Sequence, residues 1–205
     1  MRLNRILLTV VATVTAWLAI PAANAQDVAL KTNLINDIAL SPNIGVEVGL
    51  APKWTLDMTA EMNLWKVDGR SWKHLYFQPE ARYWFCQRFS GHFIGFHALG
   101  GIYNFGKLNL PFNMLGSNLK ELKDKRYQGW AAGAGVIYGY AWPLHKHWNI
   151  EAALGIGWLY TRFDSYPCQV CGTKIDRNKS HNYFGPTKLS VAVEYIFLLL
   201  SAKHF

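Results

Sequence analysis

The sharpest chemical spacing in the chain is Cys168-Gln169-Val170-Cys171. Such a pair closes a local disulfide in an oxidising compartment, joins two further ligands around zinc, or does redox chemistry within a βαβ unit. Only His181 lies near it and no βαβ pattern surrounds it, so a disulfide between Cys168 and Cys171 is the expectation. The third cysteine, Cys86, is expected at the opposite end of the molecule, free or shielded by lipid. His145-Lys146-His147 supplies two imidazoles with no carboxylate or thiol beside them, which reads as a turn. No metal or cofactor is expected.

Two sets have the residue types of an acyl hydrolase or acyltransferase: Ser71, His74 and Asp68, and Ser180, His181 and Asp176. Polar loops hold such residues by chance and the spacing is not diagnostic, so no catalytic residue is assigned. Glu80 and Arg82 lie two apart, on one face if the segment is a strand, and can join Asp57 and Glu61 in an ionic plug. His97 is expected on the same polar side, hydrogen-bonded to Glu61, Glu80 or a tyrosine. This lumen polar network is a structural expectation.

These groups must be positioned by something, and the chain's patterning says by what. Residues 1–25 divide into a basic start (Arg2, Arg5), an apolar run from Ile6 to Ile20 and a small-residue stop at Ala23-Asn24-Ala25, which reads as a cleavable signal peptide. Residues 26–205 then form one domain. No later segment is apolar for long enough to span a membrane as a helix. Instead, eight segments of alternating character recur, at about 30–40, 43–50, 54–65, 74–86, 92–106, 127–142, 147–162 and 183–197. In the third, Leu56, Met58, Ala60, Met62 and Leu64 oppose Asp57, Thr59, Glu61 and Asn63; in the fourth, Leu75, Phe77, Pro79, Ala81, Tyr83 and Phe85 oppose Tyr76, Gln78, Glu80, Arg82 and Trp84.

The turns after the second, fourth and sixth segments are short. On the other side, a tight Ser41-Pro42 turn is followed by the connections 66–73, 107–126 and 163–182. Short turns on one side and long loops on the other, an even strand count and tryptophans near segment ends (Trp54 and Trp65, Trp130 and Trp142, Trp148 and Trp158) predict an all-β fold. The expected architecture is an eight-stranded antiparallel transmembrane up-and-down β-barrel in the cell outer membrane. A lipocalin-like barrel would reverse the faces. Here the polar face mixes charges with glycines such as Gly45, Gly135 and Gly155, which suits a narrow lumen, while the bulky face suits lipid. Asp37, Glu47, Asp57, Glu61, Glu80, Glu151 and Glu194 should then point inward, with Lys31, Arg82 and Lys188 as counter-charges.

Without Arg2 and Arg5, nineteen basic residues face thirteen acidic ones. The surplus concentrates in the three longer external loops, whose eleven Lys and Arg, including Lys120, Lys123, Lys125, Arg126, Lys174 and Arg177, outnumber five acids. A basic rim favours phosphates of outer-leaflet lipid or acidic glycans. Nucleic acid is not an expected partner of an exported protein. Leu115, Leu119 and Leu122 predict a short amphipathic helix in one of these loops, sealing the mouth.

Several stretches resemble a family of Bacteroidetes-type outer-membrane barrels known only as a domain of unknown function. They are Leu30-Lys31-Thr32-Asn33-Leu34, Pro42-Asn43-Ile44-Gly45-Val46-Glu47, Gln78-Pro79-Glu80-Ala81-Arg82-Tyr83-Trp84, Gly91-His92-Phe93, Gly95 with His97, and Tyr183-Phe184-Gly185-Pro186-Thr187-Lys188. The resemblance implies an eight-stranded outer-membrane protein, often encoded beside surface-fimbria genes, and offers no catalytic residues to carry over. Barrels of this kind usually end in an aromatic residue, for which Phe197 and Phe205 are candidates. A structural or surface-interaction role is expected, with external loops contacting lipopolysaccharide, glycan or a fimbrial component. A lipid-modifying enzyme and a narrow channel are the rivals.

Overall fold

Alternating side chains need two different environments, and a sheet that closes on itself supplies both. The computed structural model describes residues 27–64, 66–67, 70–106, 126–166 and 176–197. In order these form β1 (Val28–Asn33), α1 (Leu34–Ile38), β2 (Asn43–Ala51), β3 (Trp54–Asn63), β4 (Lys66–Val67), β5 (Arg70–Trp84), β6 (Gly91–Gly106), β7 (Arg126–Pro143), β8 (Trp148–Tyr166) and β9 (Asp176–Phe197). Each long strand pairs antiparallel with its sequence neighbours, β3 with β5, and β1 with β9. The result is an up-and-down ring of eight strands, with β4 a two-residue hairpin extension of β5. Among the described residues no helix is long and apolar enough to cross a membrane.

The alternation sorts the side chains. Phe96 and Phe184 stand outward at 71% and 68% exposure, with Ile44, Phe77, Val136, Leu154 and Leu189 also exposed, whereas Glu47, Asp57, Arg82, Glu151 and Glu194 point inward at 0%. Trp54, Trp142 and Trp148 project outward near the end of the ring where β1 begins and β9 finishes, the terminal end, and Trp130 and Trp158 project outward nearer the opposite, loop end.

Three features depart from the alternation pattern. The first segment, expected as a strand over 30–40, ends at Asn33, and the tight Ser41-Pro42 turn is replaced by α1 and a longer turn. Asn33 explains the break, because its side chain accepts from the Ile35 N–H at 3.2 Å and caps the helix start. Ala39 and Ser41 then bond back to Ile35 and Asn36, with Leu40 in the left-handed region at φ 56°. Second, strand pairing continues into the last predicted loop, with β8 reaching Tyr166 and β9 starting at Asp176. Third, prolines interrupt the ladder. Pro79, lacking an N–H, sits where the β5–β6 register stops at Phe77↔Gly100 and resumes at Glu80↔His97. Next to Pro186, the register steps from Gly155↔Lys188 to Ile156↔Pro186, leaving Thr187 as an extra, bulged residue. The bulge switches parity: Tyr183 and Gly185 face inward before it, Ser190, Ala192 and Glu194 after it.

The terminal end of the ring is stoppered. In the β5–β6 connection Phe89 adopts φ 62° and is buried with Ala29 and Ile196. Its ring lies 6.1 Å from that of Trp84, which joins Phe93, Ile137, Ala141 and Ala153 in an apolar floor. The stopper is tied down by Asn149, whose side-chain amide donates to the Phe89 carbonyl at 2.6 Å, and by the Arg88–Asp27 ion pair at 2.9 Å. Trp84 uses its indole N–H on Thr55 at 2.9 Å, so no polar group of that side chain is left unmatched.

Candidate functional site: an ionic core and the cavity above it

Register creates the central problem of the interior. Glu47 lies opposite Asp57, and Asp57 opposite Glu80, so three neighbouring strands present carboxylates in one row. Like charges directly opposite one another are destabilising unless a cation intervenes. Arg82 does so: its guanidinium donates to Glu80, to Glu47 at 2.8 Å and to Glu151 at 2.6 Å, and forms an ion pair with Asp57 at 2.9 Å. Its face also lies over the Phe93 ring, 4.5 Å from the centroid. Lys31 reaches the same acids from β1, bonding Glu47 and lying 3.2 Å from Asp57 and 3.1 Å from Glu194. A side chain at Gly45 would not fit here, since its Cβ would fall 2.6 Å from Lys31 Cγ. Lys188 caps Glu80 at 2.8 Å.

Five carboxylates (Glu47, Asp57, Glu80, Glu151, Glu194) thus surround three cations. Glu47, Glu151 and Glu194 bring one oxygen each within 4.8 Å of one another, a spacing that a metal ion would span. The Lys31 ammonium touches all three, with Glu151 at 3.6 Å, and occupies the role a metal would have.

Above this core, toward the loop end, is a cavity of about 510 Å³. Lys31, Arg82, Glu151 and Lys188 form its floor, and α1, β3, β5 and β9 contribute walls. On the β5–β6 side four rings line it. Trp72 and Phe105 have centroids 5.2 Å apart, and His74 and Tyr76 stack at 5.1 Å. His74 Nε2 lies 2.9 Å from Glu61, whose other oxygen accepts from Asn36 of α1 at 2.7 Å. Asn33 and Asn43 lock the facing wall through backbone bonds.

Of the residues assigned to one polar network, Asp57, Glu80 and Arg82 meet in the ionic core, while Glu61 belongs to the cavity wall with His74 and Asn36. His97 is directly opposite Glu80 in register, yet its Nε2 lies 2.9 Å from the bulged Thr187 rather than bonding Glu61, Glu80 or a tyrosine. His74, grouped by sequence with Ser71 and Asp68, is a buried strand residue spent on Glu61. Parity alone turned Lys31, Glu47, Glu151, Glu194 and Lys188 inward; membership of one cluster needed the register across β1–β2–β3–β5. Alternation also put Tyr76 on the inward face, but grouping it with Trp72, His74, Phe105 and Asn36 as one wall needed the β5–β6 register and α1.

Cys86 is free and exposed in the connection after β5, at the terminal end. His147 Nδ1 lies 2.9 Å from the Ile196 carbonyl and its ring stacks on Tyr195. Arg126 opens β7 with its guanidinium 4.4 Å from the Tyr166 centroid, and Arg177 falls within β9. Cys168, Cys171, Lys120, Lys123, Lys125, Lys174 and the predicted helix at 115–125 lie outside the described residues.

The model of a family described as protein of unknown function (DUF3575) matches residues 9–197, so the chain belongs to that family. No curated protein and no solved structure matches it.

Proposed function

We propose that this DUF3575 member is an eight-stranded outer-membrane β-barrel with a closed interior that acts at the cell surface as a structural or interaction protein. The observation that carries the reading is the division of faces: bulky apolar side chains outward on the long strands, a dense ionic core inward. An apolar exterior of this extent is costly in water and favourable in lipid. The basic external loops contact anionic lipopolysaccharide, acidic glycan or a fimbrial component. A narrow channel is disfavoured, because the Arg82 cluster and the Phe89 stopper lie in series across the interior.

The test is threefold. The mature chain refolded in detergent should migrate faster unheated than boiled, fractionate with outer membranes, and give no steady conductance in a planar bilayer. Reversing Lys120, Lys123, Lys125, Arg126, Lys174 and Arg177 to Glu should abolish association with lipopolysaccharide vesicles. A freely water-soluble folded chain would overturn the membrane reading, and unchanged vesicle association would overturn the role of the loops.

A further inference from the structure

The charges that border the cavity above the ionic core are all spent within the protein. Lys31 is held by Glu47 and Glu194, Arg82 by Glu80, Glu47 and Glu151, and Lys188 by Glu80. Of the two carboxylates in the lining, Glu151 meets Arg82, and Glu61 gives one oxygen to His74 and the other to Asn36. A charged guest would have to break one of these pairs and strand its partner, so the cavity favours a guest without charge. The uncommitted groups are neutral and lie along one strand. Trp72, His74, Tyr76 and Gln78 follow one another at every second position of β5, and all four line the cavity. Among the described residues nothing accepts from the Trp72 indole N–H or bonds the Tyr76 hydroxyl, although such groups ordinarily find a partner when enclosed. The Gln78 side-chain nitrogen is likewise unmatched.

Resting on the barrel reading above, in which this end of the ring faces outward, we propose that the cavity binds a neutral saccharide unit, with the rings of Trp72 and Tyr76 against its C–H face and the Trp72 N–H, Tyr76 hydroxyl and Gln78 amide on its hydroxyls. A pyranose fits both requirements. Its C–H bonds make an apolar face suited to the negative face of an aromatic ring, and its hydroxyls both donate and accept. An acyl chain would leave all three polar groups unmatched, which is costly in an enclosed site. An inorganic ion would fill little of a cavity of about 510 Å³, a volume within the usual range for small-ligand sites. The Gln78 nitrogen is closed to water as it stands, and a half-turn of the amide exchanges it with the oxygen. The sugar is either free in the medium or the end of a longer surface glycan.

The experiment uses the full mature protein folded in a polyoxyethylene detergent, which carries no sugar headgroup. Maltose, lactose, α-1,2-mannobiose and N,N′-diacetylchitobiose are titrated by calorimetry, beside glycogen, mannan, inorganic phosphate and spermidine. Saturable binding of at least one neutral saccharide is the expected result, weakened about tenfold by Trp72→Leu and about threefold by Tyr76→Phe and by Gln78→Leu. Binding of glycogen or mannan identifies the end of a glycan as the ligand; binding of a disaccharide alone identifies a free sugar. Absence of binding by every saccharide, competition by phosphate or spermidine, or affinity unchanged in Trp72→Leu or in both other variants would overturn the proposal. Heat-modifiable migration of the same samples reports whether the barrel is intact, so failure of the site and failure of the barrel reading are told apart.

Discussion

Replacing Arg82 by methionine removes a guanidinium that reaches four carboxylates at once. Methionine has similar reach and no charge, so packing against Phe93 is largely kept while the charge balance fails. Five buried acids would then face only Lys31 and Lys188. Removing one partner of a buried ion pair costs ~3–5 kcal/mol because the remaining charge is stranded. Arg82 and its four acids are at most 1% exposed, so solvent offers little relief. The expected loss is therefore ~3–5 kcal/mol, read from urea unfolding of the refolded protein by tryptophan fluorescence. Adding Glu151→Gln removes one stranded acid and should recover part of that loss, with a coupling of ~0.5–3 kcal/mol in a double-mutant cycle. A loss under ~1 kcal/mol for Arg82→Met, with no recovery in the double variant, would show that water solvates these charges and would refute the argument.

Phe96→Arg places a charge at the middle of the outward face and should cost ~2–4 kcal/mol in a bilayer; a change within ~0.5 kcal/mol in reconstituted vesicles would place that face in water. Phe89→Ala empties the stopper and should cost ~3–5 kcal/mol in the same unfolding assay, while conductance stays absent because the Arg82 cluster still blocks the interior. Gly135→Val should destabilise by ~1–3 kcal/mol, because a Cβ there falls 2.4 Å from the Ile156 carbonyl oxygen and 2.8 Å from His97 Cε1; an unchanged unfolding midpoint would mean that β7 and β8 separate without cost.

Parity was the part of this molecule most legible in its residues. Leu56 to Asn63 and Leu75 to Trp84 alternate without fault, and each alternation has one environment per face. What alternation cannot carry is a local competitor for the backbone. Asn33 turned a predicted strand into a helix cap with one side-chain acceptor, and Thr187 displaced His97's expected partners because a bulge moved it one place along the ladder. Three carboxylates in one row were equally hidden, since Glu47, Asp57 and Glu80 are ten and twenty-three positions apart and only the register makes them neighbours. The cavity wall required still more, because Glu61, Asn36 and His74 come from three elements.

The seam between β1 and β9 joins stretches from opposite extremes of the polypeptide, through a first strand of only six residues. Closing it demands the largest loss of chain entropy of any pairing in the ring, and that cost is met only once the final strand exists. Until then two raw edges of hydrogen-bonding groups stay open to other chains. A polypeptide cut short before residue 176 would therefore be a seed for clumping, because both margins stay bare until the circle is sealed.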